Sequence, residues 1–327
     1  MSSSYLSFFK KLSITGLLFS SLAFTVTEGS NQKTSTSEDY VFFSPSFIHS
    51  YLSSYADQEK ADIDKDLAVV RGICCEPWKT EEQKPFYLAT VGGPGARKST
   101  ILERFLSKHP EFSNGAYLDP DQRALRFMVN TYYKYSLSAI AIAEQEDYTN
   151  IRKQAYEKWR AASNYITNVL LEDALRNRKS IIHGTTATGE YTEPLLKKLK
   201  ERGYAISLLL CSCEDELRAQ AVTYRNTMQR FYQATPEDAL NKGKAFPTRM
   251  PVYFTHADTL YLFWSDSLFQ PERLAAVLQG GKIRIVDEQA LELFTKKYAK
   301  DRALLNKEGK ETPSWDDLLS IYQASHR

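Results

Sequence analysis

Residues 86 to 100 read "FYLATVGGPGARKST": an apolar run, a glycine-rich turn and the opening of a helical pattern. No other stretch of this chain restricts its fold as strongly. Gly92, Gly93, Pro94, Gly95, Ala96, Arg97, Lys98 and Ser99 match the phosphate-binding pattern G-x-x-x-x-G-K-[ST] except at Arg97, where glycine is expected. Glycines let backbone N–H groups close around phosphate oxygens. The lysine reaches the terminal phosphates, and the Ser99 hydroxyl holds Mg²⁺. The helix that follows, beginning near Ser99 and Thr100, aims its positive end at the same anion. Arg97 pulls two ways. A side chain in a loop position that needs φ > 0 costs about 1–2 kcal/mol, or roughly tenfold in nucleotide affinity. Yet the guanidinium can add donors to a phosphate.

Beyond the loop, apolar runs alternate with helical patterns. Strands are expected at 86–91, 115–119, 180–185, 205–212 and 258–264, with a sixth at 282–286 before a closing helix at 288–302. Residues 121–178 read mostly as long helices, and "YTEPLLKKLKERG" as a helix that Gly203 ends. Strands separated by helices of this length pair in parallel. The expected fold is therefore α/β, a doubly wound parallel sheet of the P-loop NTPase or kinase type with added helices at both ends. Residues 28–84 read as a polar linker and a helical extension, in which Phe47, Ile48, Tyr51, Leu52 and Tyr55 set the spacing of one helix over 46–71. Residues 85–302 form the main domain, and 303–327 a peripheral tail.

At the start of the chain, Lys10 and Lys11 precede an uncharged apolar stretch from Leu12 to Val26, then small and polar residues. That order describes a secretory signal over residues 1–27, with an ordinary buried or amphipathic helix as the alternative. The stretch is shorter than the ~20 apolar residues a bilayer span requires, so no stable membrane span is expected. Lys+Arg total 42 against Asp+Glu 40, a balance that leaves no bulk electrostatic footprint for nucleic acid. Cys74 and Cys75 are adjacent, while Cys211 and Cys213 share one face of a strand. Neither pair has partners at zinc spacing, and buried free thiols are the simplest reading.

Taken together, the loop, "LDPDQ", "IIHGTT" and "AVTYRNTMQRFYQATPEDAL" resemble the zeta-toxin family from about Phe86 to Asp266. Members of that family are P-loop kinases that phosphorylate the sugar of UDP-N-acetylglucosamine. The resemblance implies an Asp-x-Asp pair at Asp119 and Asp121, the second serving as base on the acceptor hydroxyl. A carboxylate at a strand's carboxyl edge can orient or deprotonate an alcohol in line with the γ-phosphate. A helix N-cap before "QRALRFM" is the competing reading of Asp121. The resemblance also implies acceptor contacts from Asp119, His183, Thr185 and Thr186, a phosphoryl-stabilising arginine at Arg225, and a second whose position is held by Gln233, with Arg230 one helical turn earlier as its substitute. Lys98, Asp121, Arg225 and Arg230 are then the catalytic set.

The departures gather on the acceptor side. His183 stands where the family has glutamate, Ala187 where it often has arginine, Thr167 where an acidic residue is expected, and Gln233 at the second phosphate arginine. Asp258 fits the family pattern. The expectation is an ATP- or GTP-dependent, Mg²⁺-requiring kinase of a small hydroxyl acceptor such as a nucleotide sugar, with a separate antitoxin as partner. Action in another cell's cytosol would reconcile export with the need for ATP. Two alternatives stand beside it. One is a nucleotide-binding but inactive relative used as an interaction module. The other is a nucleoside-monophosphate kinase, whose loop "GGPG" resembles but whose Asp-Gly-Phe-Pro-Arg segment and arginine-rich lid are not recognisable.

Overall fold

The computed structural model describes residues 40–79, 84–143, 148–228 and 235–327. The expected signal at 1–27 and the residues Arg230 and Gln233 lie outside them. The helix expected over 46–71 is two helices, α1 (Pro45–Ser50) and α2 (Asp57–Cys74). Between them the Ser50 and Ser53 hydroxyls donate to the carbonyls of Phe47 and Ser50, at 2.7 and 2.8 Å, and so compete with the helical ladder. Ahead of α1, the N–H groups of Val41, Phe42 and Phe43 all donate to the buried Glu172 carboxylate at 2.5–2.9 Å.

The central layer is a sheet of seven strands: β1 (Phe86–Val91), β2 (Ala116–Leu118), β3 (Ile181–His183), β4 (Ala205–Ser212), β5 (Thr259–Trp264), β6 (Arg273–Gln279) and β7 (Lys282–Ile285). Their order across the sheet is β2-β3-β1-β4-β5-β6-β7. The first five in that order are parallel. They are near-continuous apolar runs because helices cover both of their faces. On one face Leu88, Ile182 and Leu209 pack with Ile101, Leu102 and Phe105 of α3 (Lys98–Lys108). On the other, Tyr87, Ile181, Leu208 and Leu210 join α4 (Lys134–Ile140), α5 (Tyr148–Asn177) and α6 (Thr192–Glu201) in the larger core.

The α/β, doubly wound P-loop architecture is therefore as expected, with one correction at its far edge. Strand β6 was not anticipated, and β7, expected as a sixth strand of the parallel series, is its antiparallel hairpin partner. Gly280 and Gly281, at φ 57° and 72°, form the tight turn that joins them. After β4 the chain runs through α7 (Asp215–Met228), α8 (Pro236–Gly243), α9 (Ala245–Thr248) and α10 (Met250–His256). After β7 come α11 (Glu288–Lys307) and α12 (Trp315–Ser325). The last of these is not peripheral: Leu318 and Tyr322 are 0% and 1% exposed, and the Tyr322 hydroxyl donates to the Asp258 carbonyl at 2.9 Å. All four cysteines carry free thiols. Among the described residues no helix is long and apolar enough to cross a membrane.

This topology positions a site. The chain leaves β1 for the outer β2, returns to β3 beside β1, then crosses to β4, so strand order reverses at β1. In such sheets the crevice at the carboxyl ends of the strands on either side of the reversal is the binding position.

Candidate active site

The glycine-rich loop leaves β1 into that crevice. Gly92 and Gly95 have φ of 143° and 83°, and a Cβ on either would lie 2.4 Å from a backbone carbonyl oxygen, of Cys211 and Arg218 respectively. Arg97 is left-handed as well, at φ 58° and ψ 19°, and is the N-cap of α3 without a side-chain cap bond. Its strain is the expected one; its side chain is elsewhere. The guanidinium donates to the carbonyls of Ser267 and Gln270, at 2.7 and 2.8 Å, in the loop after β5, and not toward the phosphate seat. Ser99 and Thr100 lie in the first turn of α3, whose N–H groups lack intrahelical acceptors, the arrangement that suits an anion.

Lys98 folds back so that its ammonium donates to the Gly93 carbonyl at 2.9 Å. Burial, with the nearby charges of Arg225 and Arg218, pushes its pKa down to about 8, against the smaller pull of Cys211 and Asp119. The charged form that a phosphate requires thus prevails below pH 8 and is lost above it. Bound phosphate restores the ammonium, so nucleotide affinity should fall about tenfold per pH unit above pH 8. Titration calorimetry in buffers of different ionisation enthalpy should show proton uptake on binding there. A flat affinity between pH 7 and 9.5 would exclude this role for Lys98.

Beneath the loop sits a buried arginine that sequence reading missed. Arg218 of α7 donates to the Pro94 carbonyl at 3.1 Å, to the Ala239 carbonyl and to Asp215 at 2.9 Å. Asp215 in turn meets the buried Lys297 of α11 at 3.3 Å, and Lys297 bonds Asp301 at 2.5 and 2.7 Å. Gly93, Gly95 and Gly243 all pack against Arg218 so closely that a Cβ on any of them would collide with it. The loop is wrapped around this side chain. Its sequence surroundings, a charged helix start, resemble an ordinary solvated face.

At the end of β2 the two carboxylates divide their work. Asp119, not Asp121, is the cap: one of its oxygens accepts from the N–H groups of Asp121 and Gln122, each at 2.8 Å, and opens the wide turn Pro120–Leu125. Burial and the Asp121 charge raise the Asp119 pKa. A Cβ on Gly184 would fall 2.0 Å from the other Asp119 oxygen, so the glycine of "HGT" is there to seat this carboxylate. Asp121 is thereby free of capping. It meets the Arg160 guanidinium at 3.1 Å, and its buried Oδ1 has no hydrogen bond of acceptable geometry.

Arg160 was not anticipated. It projects from α5, where its guanidinium also donates to Asn164 at 2.9 Å, and it lies over the Tyr156 ring at 5.8 Å. Thr167, expected at the acceptor, is buried further along the same helix and bonds the Ser163 carbonyl at 2.9 Å. Arg225 of α7 is half-buried, and burial lowers its pKa against the attraction of Asp121 and Asp119. Among the described residues no hydrogen bond or ion pair holds it. Lys98, Asp119, Asp121, Arg160 and Arg225 are thus one electrostatic cluster around the crevice.

The residues after β3 are placed differently from expectation. His183 points into the core, where its Nδ1 shares a hydrogen bond with the Tyr87 hydroxyl at 2.8 Å. Burial depresses its pKa to about 4, so the ring is neutral at physiological pH. The cavity beside it, walled by Leu195, Leu208 and Tyr253, has room for about one water, too little for a sugar. Thr185 exchanges bonds with the Thr90 hydroxyl, at 3.0 and 3.2 Å, and caps Ala187 N–H at 3.0 Å. The Thr186 carbonyl accepts from Gly92 N–H at 3.2 Å, tying this segment to the phosphate loop. His183 is therefore held in the core, and in this segment it is Thr186 that bonds the phosphate loop.

Residues 74–243 match the family described as Zeta toxin, just over half of the chain. The chain belongs to the zeta toxin family. No curated protein matches this family member. Among solved structures, AvrRxo1-ORF1:AvrRxo1-ORF2 with sulphate ions superposes at a TM-score of 0.54 and 16% identity, covering 89% of this chain and 99% of that one. The same complex with ATP gives 0.53 at 16% identity over the same shares. A structure of the PezAT chromosomal toxin-antitoxin system of Streptococcus pneumoniae gives 0.46 at 14%, covering 82% and 99%. At these identities the likeness to AvrRxo1 establishes the shared fold.

Proposed function

We propose that this zeta toxin family member is a nucleoside-triphosphate-dependent kinase that phosphorylates a hydroxyl of a small acceptor, a nucleotide sugar being the class its family suggests. The observation that carries this reading is Asp121, a carboxylate freed of capping by Asp119, facing the Arg160 guanidinium and set among Lys98 and Arg225. The acceptor oxygen bonds to the γ-phosphorus as the bond from that phosphorus to the β–γ bridging oxygen breaks. The bridging oxygen keeps the electron pair, and the hydroxyl proton passes to Asp121. Lys98 and Arg225 neutralise charge on the transferring group. The loop also fits a magnesium ion: the Ser99 hydroxyl, in the first turn of α3, is a hard donor, and Mg²⁺ commonly takes one or two protein ligands beside phosphate and water. When bound it would supply further charge neutralisation. The ATP complex of AvrRxo1 supports ATP as donor; GTP is kept as the other candidate.

The Arg160 ion pair favours a second reading, an inactive nucleotide-binding relative, because a carboxylate engaged by a guanidinium must leave that pair to meet an acceptor hydroxyl. One screen separates the two. Labelled ATP and GTP are offered with UDP-sugars and nucleotides, using Lys98→Ala as the blank. Transfer of label by the wild type and not by Lys98→Ala supports the kinase. Nucleotide binding without transfer to any acceptor supports the inactive relative.

AvrRxo1-ORF1 is found with AvrRxo1-ORF2, which supports a separate neutralising protein as partner here. Export through residues 1–27, with action in another cell's cytosol, completes the proposal. A reporter fused to residues 1–35 should leave the cytoplasm, and its retention there would end that part of the reading.

A further inference from the structure

The variant letter of the phosphate loop leads to a feature that the transfer chemistry does not use. Arg97 donates to the carbonyls of Ser267 and Gln270 and so brackets Phe269 between two fixed points. The N–H groups of Phe269 and Gln270 both donate to the Ser267 hydroxyl, at 3.3 and 3.1 Å, which closes the turn with Phe269 on it. Phe269 is 74% exposed, the most exposed aromatic ring among the described residues. Tyr224 meets it edge-to-face at 5.5 Å and 85°, and Tyr224 directly precedes Arg225 on α7. A lone exposed apolar ring needs no explanation. This one is held by a second ring and by a left-handed arginine, a conformation unfavourable to any residue with a Cβ.

We propose that Phe269, braced edge-on by Tyr224, is the platform on which the base of the donor nucleotide stacks, with Arg97 as the positioning residue that ties the platform to the phosphate loop. The assignment rests on the nucleotide reading of that loop. Topology says which ligand it serves. The loop after β5 lies on one side of β1 and the carboxylates after β2 on the other, so the platform belongs with the donor and not with the acceptor. Reach is consistent too. Phe269 sits one arginine length from the start of α3, and a nucleotide with its phosphates in the loop extends its ribose and base outward from that point. Stacking on an aromatic face tolerates any base, so the platform would accept ATP and GTP alike.

The test compares ligands with and without a base. Affinities for ATP, GTP and inorganic tripolyphosphate, each with Mg²⁺, are measured calorimetrically on the full chain. Phe269→Ala, an exposed change, should weaken ATP and GTP about tenfold and leave tripolyphosphate unchanged. Arg97→Gly removes the strain and the tether together. It should bind tripolyphosphate no more weakly than the wild type while losing the preference for ATP over it, a split that a merely structural role would not produce. Equal weakening of all three ligands by Phe269→Ala, or no weakening of ATP, overturns the platform and leaves the phosphate loop standing. If the wild type binds none of them, the nucleotide reading fails, and the platform with it.

Discussion

Asp121→Asn is expected to lower turnover by about 10²–10⁴-fold, the range a positioned general base contributes, while nucleotide affinity changes little. Asparagine keeps the shape and removes the proton acceptor. The fold should survive, because Asp119, not Asp121, caps the turn that follows β2, and Arg160 keeps its bond to Asn164. The same change removes the charge that, after burial, raises the Asp119 pKa, so Asp119 should ionise at lower pH in the variant. Kinetics with the acceptor identified by the labelling screen, together with a thermal melt, would check both parts. Unchanged turnover would remove Asp121 from the mechanism and favour the inactive reading.

Arg218→Ala should be the most destabilising single change near the site. The ion pair with Asp215, whose side chain is 38% exposed and keeps Lys297 at 3.3 Å, adds at most about 1 kcal/mol. The larger cost is that of carbonyls left without their donor, about 1–3 kcal/mol each where buried. The loss also strands the Pro94 and Ala239 carbonyls, and a gap opens where Gly93 and Gly243 had closed in on the guanidinium. Nucleotide binding should fall with stability, because the loop loses the side chain around which it is wound. Arg218→Lys should rescue little of either, as one ammonium cannot reach all three acceptors in the guanidinium's fork. Denaturant unfolding beside ATP titration would measure both effects. A variant as stable as the wild type would show that the loop holds its shape unaided.

Much of the fold was legible because its signals are local. The run "FYLATV", the glycine loop and the recurring helix patterns each declare themselves within a few residues, and together they imply a doubly wound sheet. The hairpin at the far edge stands outside the strand–helix alternation that carries the rest of the fold, and its one local signal is the glycine pair after "RLAAVLQ". The division of the extension into two helices depended on serine hydroxyls competing for carbonyls, which apolar spacing does not register.

The site divides along the same line. Lys98, Ser99, Asp119, Asp121 and Arg225 could be named from motifs, since each lies at a fixed offset from a strand end. Arg160, Arg218 and Phe269 could not, because their partners lie on other elements: Asp121 on the turn after β2, Pro94 in the loop, and Arg97 at the start of α3. His183 looked like a ligand in "IIHGTT", and only packing showed its ring turned into the core beside Tyr87. By itself, then, the sequence determined the phosphate loop, the parallel sheet and the carboxylate pair, all of them properties of short contiguous stretches. The tertiary structure alone decided which carboxylate caps and which is free, which arginine supports the loop, and where Arg97 points, because each depends on distant segments meeting in one place.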